Sequence, residues 1–209
     1  MQLAALTLAL LLTEPDVSVG AQAPTFSLRT LNPEASGIAW VSLERLVGSE
    51  AEDAGARLVL LSFFASWCEP CKKELPFLMQ LDRIYRERGL RVVSVDIDGD
   101  ELGIEAARKL VGQPGLRHPV GSDRFQILAR RYLGDKAPLP SVFLIRKDGT
   151  IVRIERGYAR DAPSFLTAAV RAELGLPPEA GAGEAPRAGR AKGTRPAGRE
   201  PRPGAAAGR

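Results

Sequence analysis

Two cysteines are all that the 209-residue chain contains, and both lie in one stretch, FFASWCEPCKKELP, residues 63–76. A disulfide between Cys68 and Cys71 would close a loop of one helical turn and constrain almost none of the unfolded chain, so a structural staple is a poor reading. The pair suits thiol chemistry better. A cysteine at a helix N-terminus, where unpaired backbone N–H groups and the helix dipole favour an anion, has its pKa lowered from about 8.5 into the range of roughly 3.5 to 7.5, and the thiolate is the nucleophile. Cys68 is the attacking group in this reading. Cys71, one turn behind, is placed to attack the mixed disulfide that Cys68 forms. Half a zinc site and coincidence are the competing readings; a zinc site needs two further ligands, and the chain has one histidine and no third cysteine.

The elements that must position this turn follow from the hydrophobic pattern. Residues 58–64, LVLLSFF, form an apolar run of strand length that fits a central strand covered on both faces. From residue 69 to 88, Leu75, Leu78, Met79, Leu81, Ile84 and Tyr85 recur at helical spacing until Gly89. A second buried strand is expected at 91–97, helices at 101–111 and 123–132, and a short strand at 119–121. SVFLI at 141–145 and TIVRIE at 150–155 flank an Asp-Gly turn and predict an antiparallel hairpin, followed by a last helix over 162–174. Upstream, 26–28 and 38–41 read as a small leading hairpin and 42–47 as a helical turn. Strands alternating with helices give an α/β class with parallel pairs.

Composition bounds the rest. Lys and Arg exceed Asp and Glu by 29 to 25, but residues 177–209 hold seven basic and three acidic groups, so residues 1–176 balance at 22 against 22. The basic excess belongs to the tail, and nucleic acid is not an expected partner. In that tail 22 of 33 residues are Ala, Gly or Pro, which predicts disorder over 177–209. Residues 3–12 form an apolar run of signal-peptide size within a 1–19 leader or anchor, far short of the roughly 20 residues of a membrane span. Export is the expectation from the run; the missing positive n-region and the Pro24 after Ala21-Gln22-Ala23 argue for a cytoplasmic alternative.

WCEPCKKE before an amphipathic helix, and PLPSVFLIRKDGTIV followed by RGY and a final helix, resemble the thioredoxin superfamily, and more narrowly its TlpA/ResA branch of extracytoplasmic thiol-disulfide oxidoreductases. The likeness runs from about residue 20 to 174. It implies a thioredoxin-like domain over 20–176: a central mixed sheet flanked by helices, with the leading hairpin and an inserted helix and strand at 102–122. Pro140 matches the family's cis-proline, beside the cysteines, and Leu139 before it would offer backbone groups to a substrate chain. Base rates alone, about 5 to 6% cis for X-Pro bonds, do not give that assignment. Glu74 matches a cavity-lining Glu that exchanges the proton of Cys71. Ser62 stands where many thioredoxins carry a buried Asp for that task, which adds weight to Glu74; its alternative is a solvated first-turn charge that complements the helix dipole.

Around the turn, Trp67 is expected to pack as a lid, its alternative being a core aromatic. Glu69 and Pro70, between the cysteines, are expected to tune the couple, the Glu69 charge disfavouring the thiolate and making it more reducing. His118 reads as a partly exposed loop residue without a role, and Asp96 and Asp98 as loop carboxylates at a strand end. Neither a cofactor nor a resident metal is implied. The leading function is reduction of protein disulfides by a monomer, with electrons from another thiol carrier that could be membrane-embedded; cytochrome c maturation is one setting. The alternatives are peroxide reduction, against which Leu61 and Ala65 replace the Pro and Thr of the peroxiredoxin motif, and copper or zinc delivery through Cys68, Cys71 and His118.

Overall fold

The computed structural model describes residues 17–135 and 138–178. The apolar run at 3–12 lies outside the described residues, as does the expected disordered tail from residue 179 onward. Chain order is β1 (Ser27–Arg29), α1 (Pro33–Ser36), β2 (Trp40–Ser42), β3 (Leu58–Phe64), α2 (Glu69–Tyr85), β4 (Leu90–Asp96), α3 (Glu101–Val111), β5 (Val120–Ser122), α4 (Ile127–Leu133), β6 (Ser141–Arg146), β7 (Ile151–Arg156) and α5 (Ala162–Glu173).

β3 is central because all seven of its side chains can be buried, and they are. The sheet order is β5-β4-β3-β6-β7, with β3 parallel to β4, β4 parallel to β5, and β6 antiparallel to both β3 and β7. Side-chain alternation divides β3 between two layers. Val59, Leu61 and Phe63 meet Val93, Val95, Phe143, Ile145 and the α4 residues Leu128 and Tyr132 on one face. Phe63, Tyr132 and Phe143 form an aromatic trio there, with ring centroids 5.1–5.8 Å apart. On the other face Leu58 and Leu60 pack on Leu78, Leu81 and Tyr85 of α2 and Leu166 and Val170 of α5. Farther along that face Phe64, Cys68, Cys71 and Leu75 pack with Ala107 and Val111 of α3.

The leading hairpin pairs β1 with β2 as a separate two-stranded sheet. It lies on β5, where Thr30 bridges Gly121 and the Leu31 amide donates to the Val120 carbonyl at 2.7 Å. A Cβ on Gly121 would stand 2.9 Å from that of Leu28, so only glycine admits this approach. At the opposite end of the sheet the Gly20 and Ala23 amides donate to the carbonyls of Ile151 and Gly149, and Gln22 bridges Thr150.

Two expectations need correction. The helix expected over 69–88 ends at Tyr85, and Arg86–Arg88 tighten into a 3-10 turn before Gly89. The helix expected from residue 123 starts at Ile127, because Asp123 uses its carboxylate to accept the Ile127 and Ala129 amides, and residues between them form a loop in which Gln126 takes φ 54°. Residues 43–47 form the expected helical turn, in which the Leu46 and Val47 amides donate to the Leu43 carbonyl at 2.9 Å, while α1 was not foreseen.

Candidate active site

The strand β3 ends at Phe64, and the chain turns through Ala65-Ser66-Trp67 to reach Cys68. Cys68 is the N-cap of α2: its backbone is extended, and its Sγ accepts the Cys71 amide at 3.3 Å. Sulfur takes the place that an oxygen cap fills elsewhere, and the Cys71 N–H of the first turn is aimed at it, an arrangement that favours negative charge at that atom. Cys68 and Cys71 are joined as a disulfide, with Cα atoms 5.3 Å apart. Both are buried, and Pro70 follows in the first turn, where a missing N–H costs nothing.

Pro140 comes to this turn through strand register. β6 pairs with β3 so that Ser141 faces Phe63, which sets Pro140 one position further, alongside the approach to the cysteines. The Leu139-Pro140 peptide is cis. Leu139 is half-buried and packs against the cluster that contains Cys68 and Cys71.

Behind the cysteines, Glu74 points into the layer between α2 and the sheet. It is 5% exposed, and the Ser62 hydroxyl donates to its Oε2 at 2.9 Å. Burial pushes its pKa up to about 7, with the Ser62 hydrogen bond pulling the other way. The position one turn past Cys71 thus holds a carboxyl able to change protonation near neutral pH.

Other expected residues fall differently. Trp67 is 68% exposed, so it is neither a packed lid nor a core aromatic. Glu69 is exposed and bonded to Lys72 Nζ at 2.5 Å, and that hydrogen bond lowers its pKa. Its charge is therefore paired and solvated, which reduces its leverage on Cys68. His118 is fully buried rather than a partly exposed loop residue: its Nε2 pairs with the Ser94 hydroxyl at 3.0 Å, and burial lowers its pKa to about 3. It does not join the cysteines, and among the described residues no three His, Cys, Asp or Glu side chains gather as metal ligands. Leu61 and Ala65 are core residues, with no hydroxyl or proline at the places a peroxide-reducing cysteine needs them.

Sequence reasoning passed over Asp96 and Asp98. Both are buried rather than loop carboxylates in water, and the Asp98 Oδ2 accepts the Ser66 amide at 2.7 Å, inside the redox turn. Their Asp-x-Asp spacing at a strand end was the available signal. A cavity of about 820 Å³ lies elsewhere, between the hairpin and the C-terminal end of α2, lined by Trp40, Asp82, Arg86 and Arg91 and by no cysteine.

The site thus combines a strand-to-helix turn carrying both cysteines, a cis-proline across from it and a buried acid behind it. Residues 19–154 fit the AhpC/TSA family model. The chain belongs to the AhpC/TSA family, within the thioredoxin superfamily. It is similar to the thiol-disulfide oxidoreductase ResA of Bacillus thuringiensis strain Al Hakam, 37% identical over 103 residues, 49% of this chain and 57% of that protein. The match thus spans little more than half of that relative's length. The ResA of Bacillus thuringiensis subsp. konkukian is 31% identical over 144 residues, 69% of this chain and 73% of that protein. Among solved structures, a candidate thiol:disulfide interchange protein DsbE from Chlorobium tepidum superposes with a TM-score of 0.62 at 27% identity, over 76% of this chain and 99% of that one. These relatives place the described residues in a thioredoxin-like fold with a mixed central sheet, the architecture expected from the motifs.

Proposed function

We propose that this protein is a thiol-disulfide oxidoreductase that reduces protein disulfides. The observation that carries the reading is the Cys68–Cys71 disulfide at the N-cap of α2 with the Glu74 carboxyl buried behind it. In the reduced protein the Cys68 thiolate attacks one sulfur of a substrate disulfide, forming a mixed disulfide and expelling the other substrate sulfur as a thiolate, which takes a proton from water. Ionised Glu74 accepts the proton of the Cys71 thiol, and the resulting thiolate attacks Cys68 Sγ. That step restores the Cys68–Cys71 disulfide and releases the second substrate thiolate. Two electrons pass to the substrate, and a thiol donor returns them for the next cycle.

Pro140 and Leu139 serve as the backbone platform for the substrate chain, with exposed Trp67 and Pro70 at its edge. The similarity to proteins named thiol-disulfide oxidoreductase ResA supports this chemistry, and the motif's resemblance to the extracytoplasmic branch favours an extracytoplasmic setting, with maturation of c-type cytochromes one use. No helix among the described residues is long and apolar enough to cross a membrane.

The test is the equilibrium reduction potential of the pair in glutathione and dithiothreitol buffers, read by mass spectrometry of alkylated thiols. A reversible two-electron transition more negative than roughly −200 mV is expected. A value near roughly −120 mV would make the protein an oxidant, and the absence of a reversible couple would remove the reading altogether.

A further inference from the structure

β4 ends in a pair of acids whose environment the redox cycle above does not use. Register pairs Ser62 with Ser94 and Phe64 with Asp96, and alternation puts all four side chains on one face of the sheet. Ser62 reaches Glu74 of α2 on that face, so Asp96 points into the same layer as the cysteines. Asp96 is fully buried, and its Oδ1 accepts the Asp98 amide at 3.4 Å. Its Oδ2 has no hydrogen-bond donor turned toward it among the described residues, and the Asp98 carboxyl stands against the same side chain. Two ionised carboxylates in that position would repel in a medium with little water to screen them.

Asp98 is held on three sides. Its Oδ2 accepts the Ser66 amide at 2.7 Å. The flanking Ile97 amide donates to the Phe64 carbonyl at 3.0 Å, and the Gln126 side-chain amide donates to the Ile97 carbonyl at 3.0 Å. On the α3 side a Cβ on Gly103 would stand 2.8 Å from Asp98 Oδ1 and 2.9 Å from its Cβ, so the first turn of α3 closes on this side chain only because residue 103 is glycine. The one amide that Asp98 takes from outside its own surroundings belongs to Ser66, two residues before Cys68.

We propose that Asp98 and Asp96 are a positioning pair for the redox turn: the Asp98 carboxylate holds the Ser66 amide, and Asp96 carries the proton that keeps the buried pair at a single negative charge. The inference rests on the redox reading of Cys68 and Cys71. Burial, with the facing Asp98 next in weight and Asp123 behind it, raises the Asp96 pKa to about 8. The charged groups around Asp96 are thus Asp98 from its own loop and Asp123 from the loop after β5, and Asp123 in turn faces Arg130 of α4. Below that pH the pair is one proton and one charge, and the turn is anchored. Above it the second charge drives the carboxylates apart and loosens the hold on Ser66.

The experiment measures two quantities from pH 5 to 10: the exchange protection of the Ser66 amide and the alkylation rate of Cys68 in the reduced protein. For the wild type, Ser66 protection is expected to fall about tenfold or more as the pH passes 8, with a matching inflection in Cys68 alkylation. Asp96→Asn keeps a neutral side chain at every pH and abolishes both inflections. Asp98→Asn keeps an oxygen acceptor and holds Ser66 protection within about threefold, while Asp98→Ala loses about tenfold. Gly103→Ala, which moves Asp98 without removing its charge, gives the same loss as Asp98→Ala. Independently of any variant, the Asp96 carboxyl carbon of the wild-type protein titrates near pH 8 by NMR. A wild type with a reversible Cys68–Cys71 couple whose Ser66 protection is unchanged in both Asp98→Ala and Gly103→Ala, or whose Asp96 carbon titrates near pH 4, overturns this inference and leaves the function intact. A wild type with no couple overturns the function instead.

Discussion

Replacing Glu74 by Gln tests whether the acid behind the cysteines is held in an environment that disfavours its charge. Folding raises its pKa from the ordinary 4.5 to about 7. The sign follows from linkage. Below pH 4.5 the carboxyl is protonated both folded and unfolded, and its contribution to stability is fully present; as pH rises through 7 the unfolded chain has already released the proton, and that contribution is lost. A shift of this size corresponds to about 3 kcal/mol by pH 8.5. Gln is neutral throughout, and its carbonyl oxygen can accept the Ser62 hydroxyl as Glu74 Oε2 does. Urea unfolding of the oxidised protein, followed by circular dichroism at pH 4.5 and 8.5, gives the difference directly. Glu74→Gln is expected within about 1 kcal/mol of wild type at pH 4.5 and more stable by about 3 kcal/mol at pH 8.5. Other titrating groups, Asp96 among them, cancel in the comparison. A gap that stays constant between the two pH values refutes the argument, since a lost contact alone would not follow the charge.

The same variant loses the proton acceptor for Cys71, so its rate of disulfide reduction at pH 8 falls by roughly 100-fold and no longer rises through pH 7, as stopped-flow turnover would record. Cys71→Ala retains attack by Cys68 but cannot resolve it, so an oxidised protein substrate accumulates as a mixed disulfide visible by non-reducing mass spectrometry. Trp67→Ala removes an exposed side chain: stability stays within about 0.5 kcal/mol, while KM for a protein disulfide rises and turnover of a small aromatic disulfide does not change. Phe63→Ala opens the aromatic trio beneath the sheet and costs about 3–5 kcal/mol in chemical unfolding.

Legibility in the sequence followed how local each determinant is. LVLLSFF could only be a strand buried on both faces, and Gly89 and the Asp148-Gly149 pair stop a helix and turn a hairpin without help from distant residues. The cysteines were readable because their chemistry needs only the turn between them. Glu74 was singled out through the resemblance of its motif, with Ser62 adding weight, and the two side chains do meet. What escaped depends on partners far along the chain. His118 was taken for a loop residue because nothing nearby announces Ser94, 24 positions earlier, as its hydrogen-bond partner. Asp96 and Asp98 looked like solvated strand-end acids; their burial comes from α3 closing over them at Gly103 and from the loop at Asp123. The late start of α4 arises because Asp123 reaches its amides across a loop rather than from the adjacent cap position.

The segment from Gly20 to Leu31 touches both outer strands of the sheet, the start of β7 through Gly20 and Ala21 at Ile151, with Gln22 and Ala23 on the turn before it, and β5 through Thr30 and Leu31. An outer strand left open presents a row of free amides and carbonyls that other extended chains can join. One dozen residues thereby take up part of the hydrogen-bonding edge on both sides of the sheet and leave less of it open for another extended chain to join.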